Sequence, residues 1–447
     1  MQYSRYYRFL LIILGFGLGF LMLNSMVSKL IIHGLAVLSL LHVFFSKNKQ
    51  NEALLWAGIF VSLEVAARMT GGFFFWEFGK YFNILLLTFG LLISENQRVY
   101  PVIFILIILF LLIGIAFSDI PPGESIRKVV AFNLSGPLQL CIASIYTFKR
   151  KLSMDELLEF MFYWLVALFP ILSILYFRTP SITEIVFGGS SNFETSGGFG
   201  PNQVSTMLGY GVFILTSLII LKRRITGFRV IDYLLLAYFI YRALLTFSRG
   251  GVIAATIAII IFLLFHLSTN PNRILNIGRY IIIGSVFISG IYVFTSDITG
   301  GMLDNRYTNK NARGIEKEDI TSGRSKIFST QLESWFTNPF FGIGVGSGKY
   351  KRMEMEEGLT AASHNEVSRL LEEHGLIGFV ILITLILVSL KSIGIQNFSN
   401  WGILLSFLSL WFLTINHSAM RTAFPGFMYA LSLLTLINSN EHTVSRE

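Results

Sequence analysis

The chain of 447 residues has little charge, a single cysteine and only 10 prolines. Charged residues make up 14% of it against 53% hydrophobic residues, and the mean hydropathy is +0.65. A soluble domain of this length carries more charge and shorter apolar runs. Because Cys141 stands alone, an internal disulfide is also excluded. The composition therefore indicates a membrane protein.

Long apolar runs support that conclusion. Segments 102–117 and 252–267 are almost entirely apolar, and each is long enough to cross a hydrocarbon core of about 30 Å. Since a helix satisfies its own backbone in lipid, we predict an all-α integral membrane protein with about 12 to 14 transmembrane helices. The predicted spans are 9–23, 27–45, 53–67, 81–94, 99–117, 129–148, 157–177, 203–221, 230–247, 251–267, 279–295, 376–391, 401–414 and 424–438.

Basic residues divide unevenly between the two sets of loops. One set, which includes both termini, holds 16 lysines and arginines, whereas the short loops of the other set hold 8. The positive-inside rule makes the first set cytoplasmic. We therefore predict three regions: helices 1 to 11 in residues 1–296, a large periplasmic loop at 297–375, and C-terminal helices with a cytoplasmic tail at 376–447. The net charge of +9 follows from this topology and does not indicate a nucleic-acid partner.

Two amphipathic helices are predicted in the large loop. The first, 325–336, ends before Asn338-Pro339 and should bury a stripe of apolar side chains. The second, 363–374, begins with the capping-box pattern of Ser363 and Glu366 and ends at Gly375. The stripes are Ile327, Phe328, Leu332, Trp335 and Phe336 in the first helix, and Val367, Leu370 and Leu371 in the second.

The glycine-rich run between these helices, FFGIGVGSGKY, resembles a phosphate-binding loop. Its glycine spacing is wrong, however, and Tyr350 stands where such a loop has Ser or Thr. We interpret the run as a flexible tight turn.

His364 is the most informative residue of the loop. If Ser363 is the N-cap, His364 occupies the first helical position, where the helix dipole disfavours an imidazolium. A neutral imidazole there could act as a general base near pH 7. The alternative is a surface histidine that happens to begin a helix.

Arginines are predicted on the same side of the membrane as the loop. Arg249, in LLTFSRGG, is predicted to end a spanning helix, and Gly250 and Gly251 would leave room for a ligand. Arg324 opens the first loop helix. Several guanidinium groups at one membrane surface suit a lipid diphosphate headgroup.

Other charged residues have two interpretations each. Arg242 lies within a span and is therefore a candidate donor-binding residue, or else it pairs with a buried acid. Arg178 is also a possible donor-binding residue, although a single arginine at a helix end, as at Arg178 or Arg421, commonly reaches for lipid headgroups. Glu64 and Arg68 are four residues apart and could pair with each other.

No metal site or cofactor is predicted. The outside loops 68–80 and 118–128 contain no paired acids for a divalent cation, and the sequence has no Cys/His cluster.

Four motifs together resemble the O-antigen ligase and O-antigen polymerase family of bacterial envelope proteins. They are GGFGPNQVSTMLG (197–209), LLTFSRGG (244–251), SGRSKIFSTQLESWFTNPFFGIGVGSG (322–348) and SHNEVSRLLEEHGLIG (363–378). The resemblance extends over roughly 197–380, whereas residues 1–190 match only in hydropathy.

The resemblance implies a multi-pass protein of the bacterial inner membrane with its active site facing the periplasm. Such proteins move a glycan from undecaprenyl diphosphate to a hydroxyl group, without metal or cofactor. The expected partners are that lipid-linked donor, a glycolipid or glycan acceptor such as lipid A–core, and membrane lipid. By motif, Arg249 and Arg324 would bind the donor diphosphate and His364 would be catalytic, whereas Arg178, Arg242 and Arg306 match no family motif.

Three functions remain open from the sequence. The ligase-type motifs are complete, which favours an O-antigen ligase over a polymerase that joins lipid-linked repeat units. A polytopic transporter or flippase is the alternative of another class, with Glu64, Arg68 and Arg242 lining a path. A transporter has little need for two capped helices and a helix-start histidine outside the membrane.

Overall fold

The computed structural model describes residues 5–94, 101–188, 190–268, 273–317, 324–355 and 363–437. Its helices are α1 (Arg5–Leu21), α2 (Ser25–Ser46), α3 (Glu52–Met69), α4 (Phe78–Ile93), α5 (Val102–Ile113), α6 (Ile126–Thr147), α7 (Met154–Val166), α8 (Phe169–Arg178), α9 (Pro201–Ile220), α10 (Arg229–Leu245), α11 (Arg249–Ser268), α12 (Arg273–Ile298), α13 (Met302–Tyr307), α14 (Arg324–Thr337), α15 (Gly348–Met355), α16 (Glu366–Gly394), α17 (Phe398–His417) and α18 (Phe424–Leu431). Two short strands are β1 (Lys151–Ser153) and β2 (Thr435–Ile437), and two 3-10 turns are Gly114–Phe117 and Ile182–Glu184. Of the predicted features, the ends of the spans 99–117 and 424–438 and the Ser322-Gly323 pair lie partly or wholly outside the described residues.

The helices are those of a membrane protein. Within the described part of the chain, 8 helices are long and apolar enough to cross a membrane: Ser25–Ser46, Ile126–Thr147, Met154–Arg178, Pro201–Ile220, Arg249–Ser268, Gly278–Ile298, Glu366–Gly394 and Phe398–His417. Large apolar side chains stay exposed on the outer helices, as on α12 at Ile282 and Val286. An apolar surface of that kind requires lipid around it. The prediction of an all-α integral membrane protein is confirmed.

One end of the bundle, which we call the Lys149 end, contains loops that were predicted to lie together on the cytoplasmic side of the membrane. The backbone N–H of Lys149 donates to the carbonyl of Leu433 (3.2 Å), and the guanidinium of Arg8 donates to the carbonyl of Arg224 (2.6 Å). The opposite end, which we call the Arg249 end, gathers the other connections and is described with the candidate site.

Helix α3 runs through the middle of the bundle. It packs against α2, α4, α7, α8, α9 and α18, and nearly all of its side chains are buried, polar as well as apolar. Its last turn, at Arg68 and Met69, therefore opens near the centre of the Arg249 end and away from the lipid-facing perimeter.

The last predicted span, 424–438, is wrong as a single helix. Helix α18 stops at Leu431, and the chain continues through a turn into β2, which pairs in parallel with β1 through Leu152 and Leu436. Hydropathy alone does not distinguish a long helix from a short buried helix followed by an extended segment.

The first loop helix buries a different face from the one predicted. In α14 the buried residues are Ile327, Gln331 and Ser334, whereas Phe328 and Phe336 are exposed. The amide of Gln331 donates to Glu372 in α16 (2.8 Å). The buried face of α14 is therefore the one that makes this hydrogen bond to α16, and not the predicted apolar stripe.

Helix α16 is interrupted at Gly375, which was predicted to end the second loop helix. Gly375 has φ 58° and ψ −135°, and the chain continues at once into the spanning part of α16. The glycine-rich turn packs on this break. The backbone N–H of Ile343 donates to the carbonyl of Glu372 (2.9 Å), and that of Gly344 donates to the carbonyl of Glu373 (3.1 Å). Gly342 permits this approach, since a Cβ there would lie 2.5 Å from the backbone of Glu373. The turn is a packed structural element.

Candidate active site

Arg249 lies at the start of a helix. Helix α10 ends at Leu245, and a turn with Phe247 at φ 55° leads directly into α11, whose first residue is Arg249. The prediction that Arg249 ends a span is therefore wrong. At the first turn of α11 its guanidinium adds to the positive end of the helix dipole, so the location favours an anion.

The two glycines after Arg249 serve helix packing. A Cβ on Gly250 would lie 2.4 Å from Cδ2 of His417, and one on Gly251 would lie 2.3 Å from the backbone of Ser205. The predicted open space beside these glycines is wrong, because α9 and α17 fill it. The glycines bring the start of α11 against both helices.

Hydrogen bonds join this turn to the GPN motif at the start of α9. The hydroxyl of Ser248 donates to Oδ1 of Asn202 (2.8 Å), and the hydroxyl of Ser205 donates to the carbonyl of Ser248 (2.9 Å). The ring of His417 lies beside them, with Nε2 3.1 Å from the hydroxyl of Thr206 and Nδ1 2.9 Å from the carbonyl of Leu413. Two motifs that are far apart in sequence thus form one rigid platform under Arg249.

Three arginines are neighbours at this end of the bundle. The Nε of Arg306 donates to the carbonyl of Phe247 (2.9 Å), which ties α13 to the turn before Arg249. Burial and, after it, the positive charges of Arg249 and Arg324 lower the pKa of Arg306 to about 10. The pKa of Arg324 is lowered in the same way by burial and by Arg249. Guanidinium groups concentrated in this way are suited to a multivalent anion.

His364 lies just outside α16. Asn365 is the N-cap, since its side chain accepts from the backbone N–H of Val367 (2.9 Å) and of Ser368 (3.2 Å). The predicted capping box is therefore wrong: the hydroxyl of Ser363 accepts from the N–H of Asn365 instead (3.1 Å).

His364 is nevertheless a neutral imidazole at pH 7. Burial first, then the charges of Arg421 and Arg324, and then His417 lower its pKa to about 4. The lowered pKa agrees with the predicted neutral imidazole, and its first cause is burial.

Arg421 approaches His364 from the loop 418–423. Its guanidinium donates to the carbonyl of Ser363 (3.0 Å), and the N–H of Ala419 donates to the carbonyl of His364 (3.0 Å). Sequence reasoning interpreted Arg421 as a headgroup contact and did not single out His417. The available signal was a polar stretch, NHSAMR, between two apolar runs.

The N-terminal half holds this loop in place. Glu64 and Arg68 form the predicted pair (2.7 Å) and are both buried. The other oxygen of Glu64 accepts from the N–H of Ala423 (2.8 Å), and Lys80 donates to the carbonyl of Met420 (3.4 Å). Residues 1–190 therefore support the site even though they carry no motif.

The side chains of Arg242 and Arg178 make contacts outside the group of three arginines. Arg242 is buried and donates to Thr179 (2.6 Å) and to the carbonyl of Leu175 (3.1 Å), and so it joins α10 to the end of α8. Arg178 donates to the carbonyl of Met69 (2.5 Å). These contacts are structural, and we leave both residues out of the site.

Arg249, Arg306 and Arg324, together with His364 and the break of α16 at Gly375, fall within one family match. Residues 234–383 match the family model described as O-antigen ligase. This region is similar to O-antigen ligases. The match includes Arg249, Arg306, Arg324 and His364, whereas the GPN motif and the loop 418–423 lie outside it. No curated protein matches the chain. This similarity supports a function of the ligase or polymerase type on lipid-linked glycans.

Proposed function

We propose that the protein is an O-antigen ligase-like glycosyltransferase. It moves a glycan from undecaprenyl diphosphate to a hydroxyl group of an acceptor such as lipid A–core, on the periplasmic face of the bacterial inner membrane. The observation that carries the proposal is the position of a neutral His364 beside the cationic group of Arg249, Arg306 and Arg324. Such a site places a base for the acceptor hydroxyl next to positive charges that can bind a diphosphate.

The reaction follows from these two parts. The acceptor oxygen attacks C1 of the donor sugar while its proton passes to the imidazole of His364. The bond between C1 and the phosphate oxygen breaks, and its electron pair leaves with the diphosphate. The three arginines stabilise the charge that develops on this leaving group. Direct displacement inverts the anomeric centre, and His364 then releases its proton to water. No step requires a metal or a cofactor.

The cationic environment of His364 changes when the donor binds. In the free protein burial, and after it the positive charges of Arg421 and Arg324, holds the pKa of His364 near 4, which makes it a weak base. A bound diphosphate neutralises much of that charge and raises the pKa toward the range that suits general-base catalysis. The donor thus activates the base, and the acceptor is deprotonated only when a glycan is present.

The membrane orientation is part of the proposal. The Lys149 end collects the loops with more lysines and arginines, so the positive-inside rule makes that end cytoplasmic. The Arg249 end then faces the periplasm, where the lipid-linked donor is used.

A transfer assay in detergent or nanodiscs tests the function. Wild-type protein should transfer glycan from undecaprenyl diphosphate to lipid A–core, and His364→Gln should lose at least about 100-fold in rate, because glutamine cannot take the proton. His33→Gln is the matched control, since His33 packs between Phe74 and Phe78 away from the site, and should be near normal. Transfer to a second lipid-linked repeat unit in place of lipid A–core would make the protein a polymerase.

A further inference from the structure

An exposed tryptophan lies next to the proposed site and has no role in the chemistry above. Trp76 belongs to the loop between α3 and α4, and 53% of its surface is exposed. The guanidinium of Arg68 lies 4.8 Å from the centre of its ring. The ring of Phe199 is 6.1 Å away and inclined by 35°. Arg68 lies against one face of the indole, and about half of the tryptophan surface remains accessible.

The position of Trp76 differs from that of an aromatic residue at a membrane interface. Interfacial tryptophans lie on the lipid-facing perimeter, as Phe74 does against His33 of the outer helix α2. Trp76 lies above the end of α3, which is buried on nearly all sides. Its exposed surface therefore lies near the centre of the Arg249 end.

The indole ring of Trp76 is held in a fixed position against a charged group. Arg68 is buried, and its Nε and Nη1 have no hydrogen-bond partner among the described residues, so the indole face is what the guanidinium meets there. The next residue, Glu77, is buried as well and accepts from the hydroxyl of Ser135 (3.2 Å). A fixed aromatic face of this kind costs little further ordering when a ligand binds.

Contacts connect Trp76 to the His364 side of the site. Arg68 pairs with Glu64, which accepts from the N–H of Ala423 (2.8 Å). Two residues before Ala423, Arg421 donates to the carbonyl next to His364. The base acts on the acceptor, whereas the diphosphate belongs to the arginines around Arg249.

We propose that Trp76 and Phe199 form a subsite that stacks a pyranose ring of the acceptor glycan. The ring C–H groups of a sugar carry partial positive charge and pack on the negative face of an aromatic ring. This inference rests on the proposed transfer function and names the acceptor contact within it. It assigns a substrate-binding role to the N-terminal half of the chain.

The test compares substitutions that keep or remove the aromatic face. Trp76→Leu should raise the KM for lipid A–core at least about fivefold and leave the KM for the donor within about twofold, because the diphosphate site is untouched. Trp76→Phe should retain most of the acceptor affinity. Phe74→Leu, in the same loop, is the matched control and should resemble wild type.

A binding measurement separates this inference from the proposed function. In nanodiscs without donor, Trp76→Leu should weaken binding of lipid A–core but not of lipid A, which lacks the core sugars. If wild-type protein binds lipid A–core and Trp76→Leu binds it equally well, the subsite is overturned but the proposed function is not. The same holds if Trp76→Leu weakens the binding of both glycolipids equally, or if it raises only the KM for the donor. Wild-type protein that binds neither glycolipid would overturn the subsite and the ligase assignment together.

Discussion

Gly250 packs directly on the imidazole of His417. A Cβ at position 250 would lie 2.4 Å from Cδ2 of that ring, and the ring cannot easily move because Thr206 and Leu413 hold its two nitrogens. We expect Gly250→Ala to displace the start of α11 and to lower transfer activity more than about tenfold. Gly284→Ala in α12, where a Cβ meets nothing within 4 Å, is the control. Normal activity of Gly250→Ala in the transfer assay would show that this packing does not position Arg249.

Arg249→Lys tests the planar fork of the guanidinium. Lysine keeps the charge but cannot bind two phosphate oxygens at once. We expect the rate to fall more than about tenfold, which corresponds to about 1.4 kcal/mol of barrier. Arg178→Lys, at a guanidinium that contacts only a helix-end carbonyl in the described structure, should stay within about twofold. If both variants behave alike in steady-state kinetics, Arg249 does not contact the leaving group.

The pH dependence of the reaction should differ between free and donor-bound protein. His364 must be neutral to act, so activity is lost as pH falls through its pKa. In the free protein that pKa is about 4, and kcat/KM for the donor should therefore show no acid limb above about pH 5. The limb in kcat should lie at higher pH, since the diphosphate raises the pKa. A limb near pH 6.5 in kcat/KM would contradict the burial of His364 among cations.

Cysteine labelling tests the membrane orientation. Cys141 is buried, so the wild-type chain should react little with a membrane-impermeant maleimide. In intact spheroplasts, Ala312→Cys at the Arg249 end should be labelled, whereas Lys222→Cys at the Lys149 end should be labelled only after the membrane is permeabilised. The reverse pattern would place the proposed site in the cytoplasm and rule out transfer on the periplasmic face.

Chelation tests the proposed absence of a metal. Transfer should persist in EDTA, because the arginines provide the counter-charge that a divalent cation would otherwise supply. Loss of transfer that Mg²⁺ or Mn²⁺ restores would refute the mechanism.

Local relationships in the site were predictable from sequence. Glu64 and Arg68 are one helical turn apart, and spacing alone predicted their pair. Placing the cap of α16 was harder, because Ser363 and Asn365 are both good N-cap residues. Which of the two caps α16 depends on the hydroxyl of Ser363, and this hydroxyl already accepts from the N–H of Asn365. An error of two residues at the cap changed the reason for a neutral His364 but not its charge.

Long-range relationships were not predictable. His417 reaches the site only because Gly250 lets α11 approach α17, and Arg421 reaches it through a loop that Glu64 fixes from the other half of the chain. Neither contact leaves a periodic or spacing signal, since each depends on the packing of helices that are distant in sequence.

The buried ending of the described chain has a consequence for biosynthesis. Helix α18 is buried along its whole length, and β2 pairs with β1 beside the start of α7. Ribosomes make these elements after α1 to α17, so the earlier helices enter the bilayer while the slot for α18 is still empty. The bundle must stay loosely packed until its final segment arrives. Because the loop 418–423 leads directly into α18, Arg421 reaches His364 only once α18 has packed, so the candidate site is completed late in assembly.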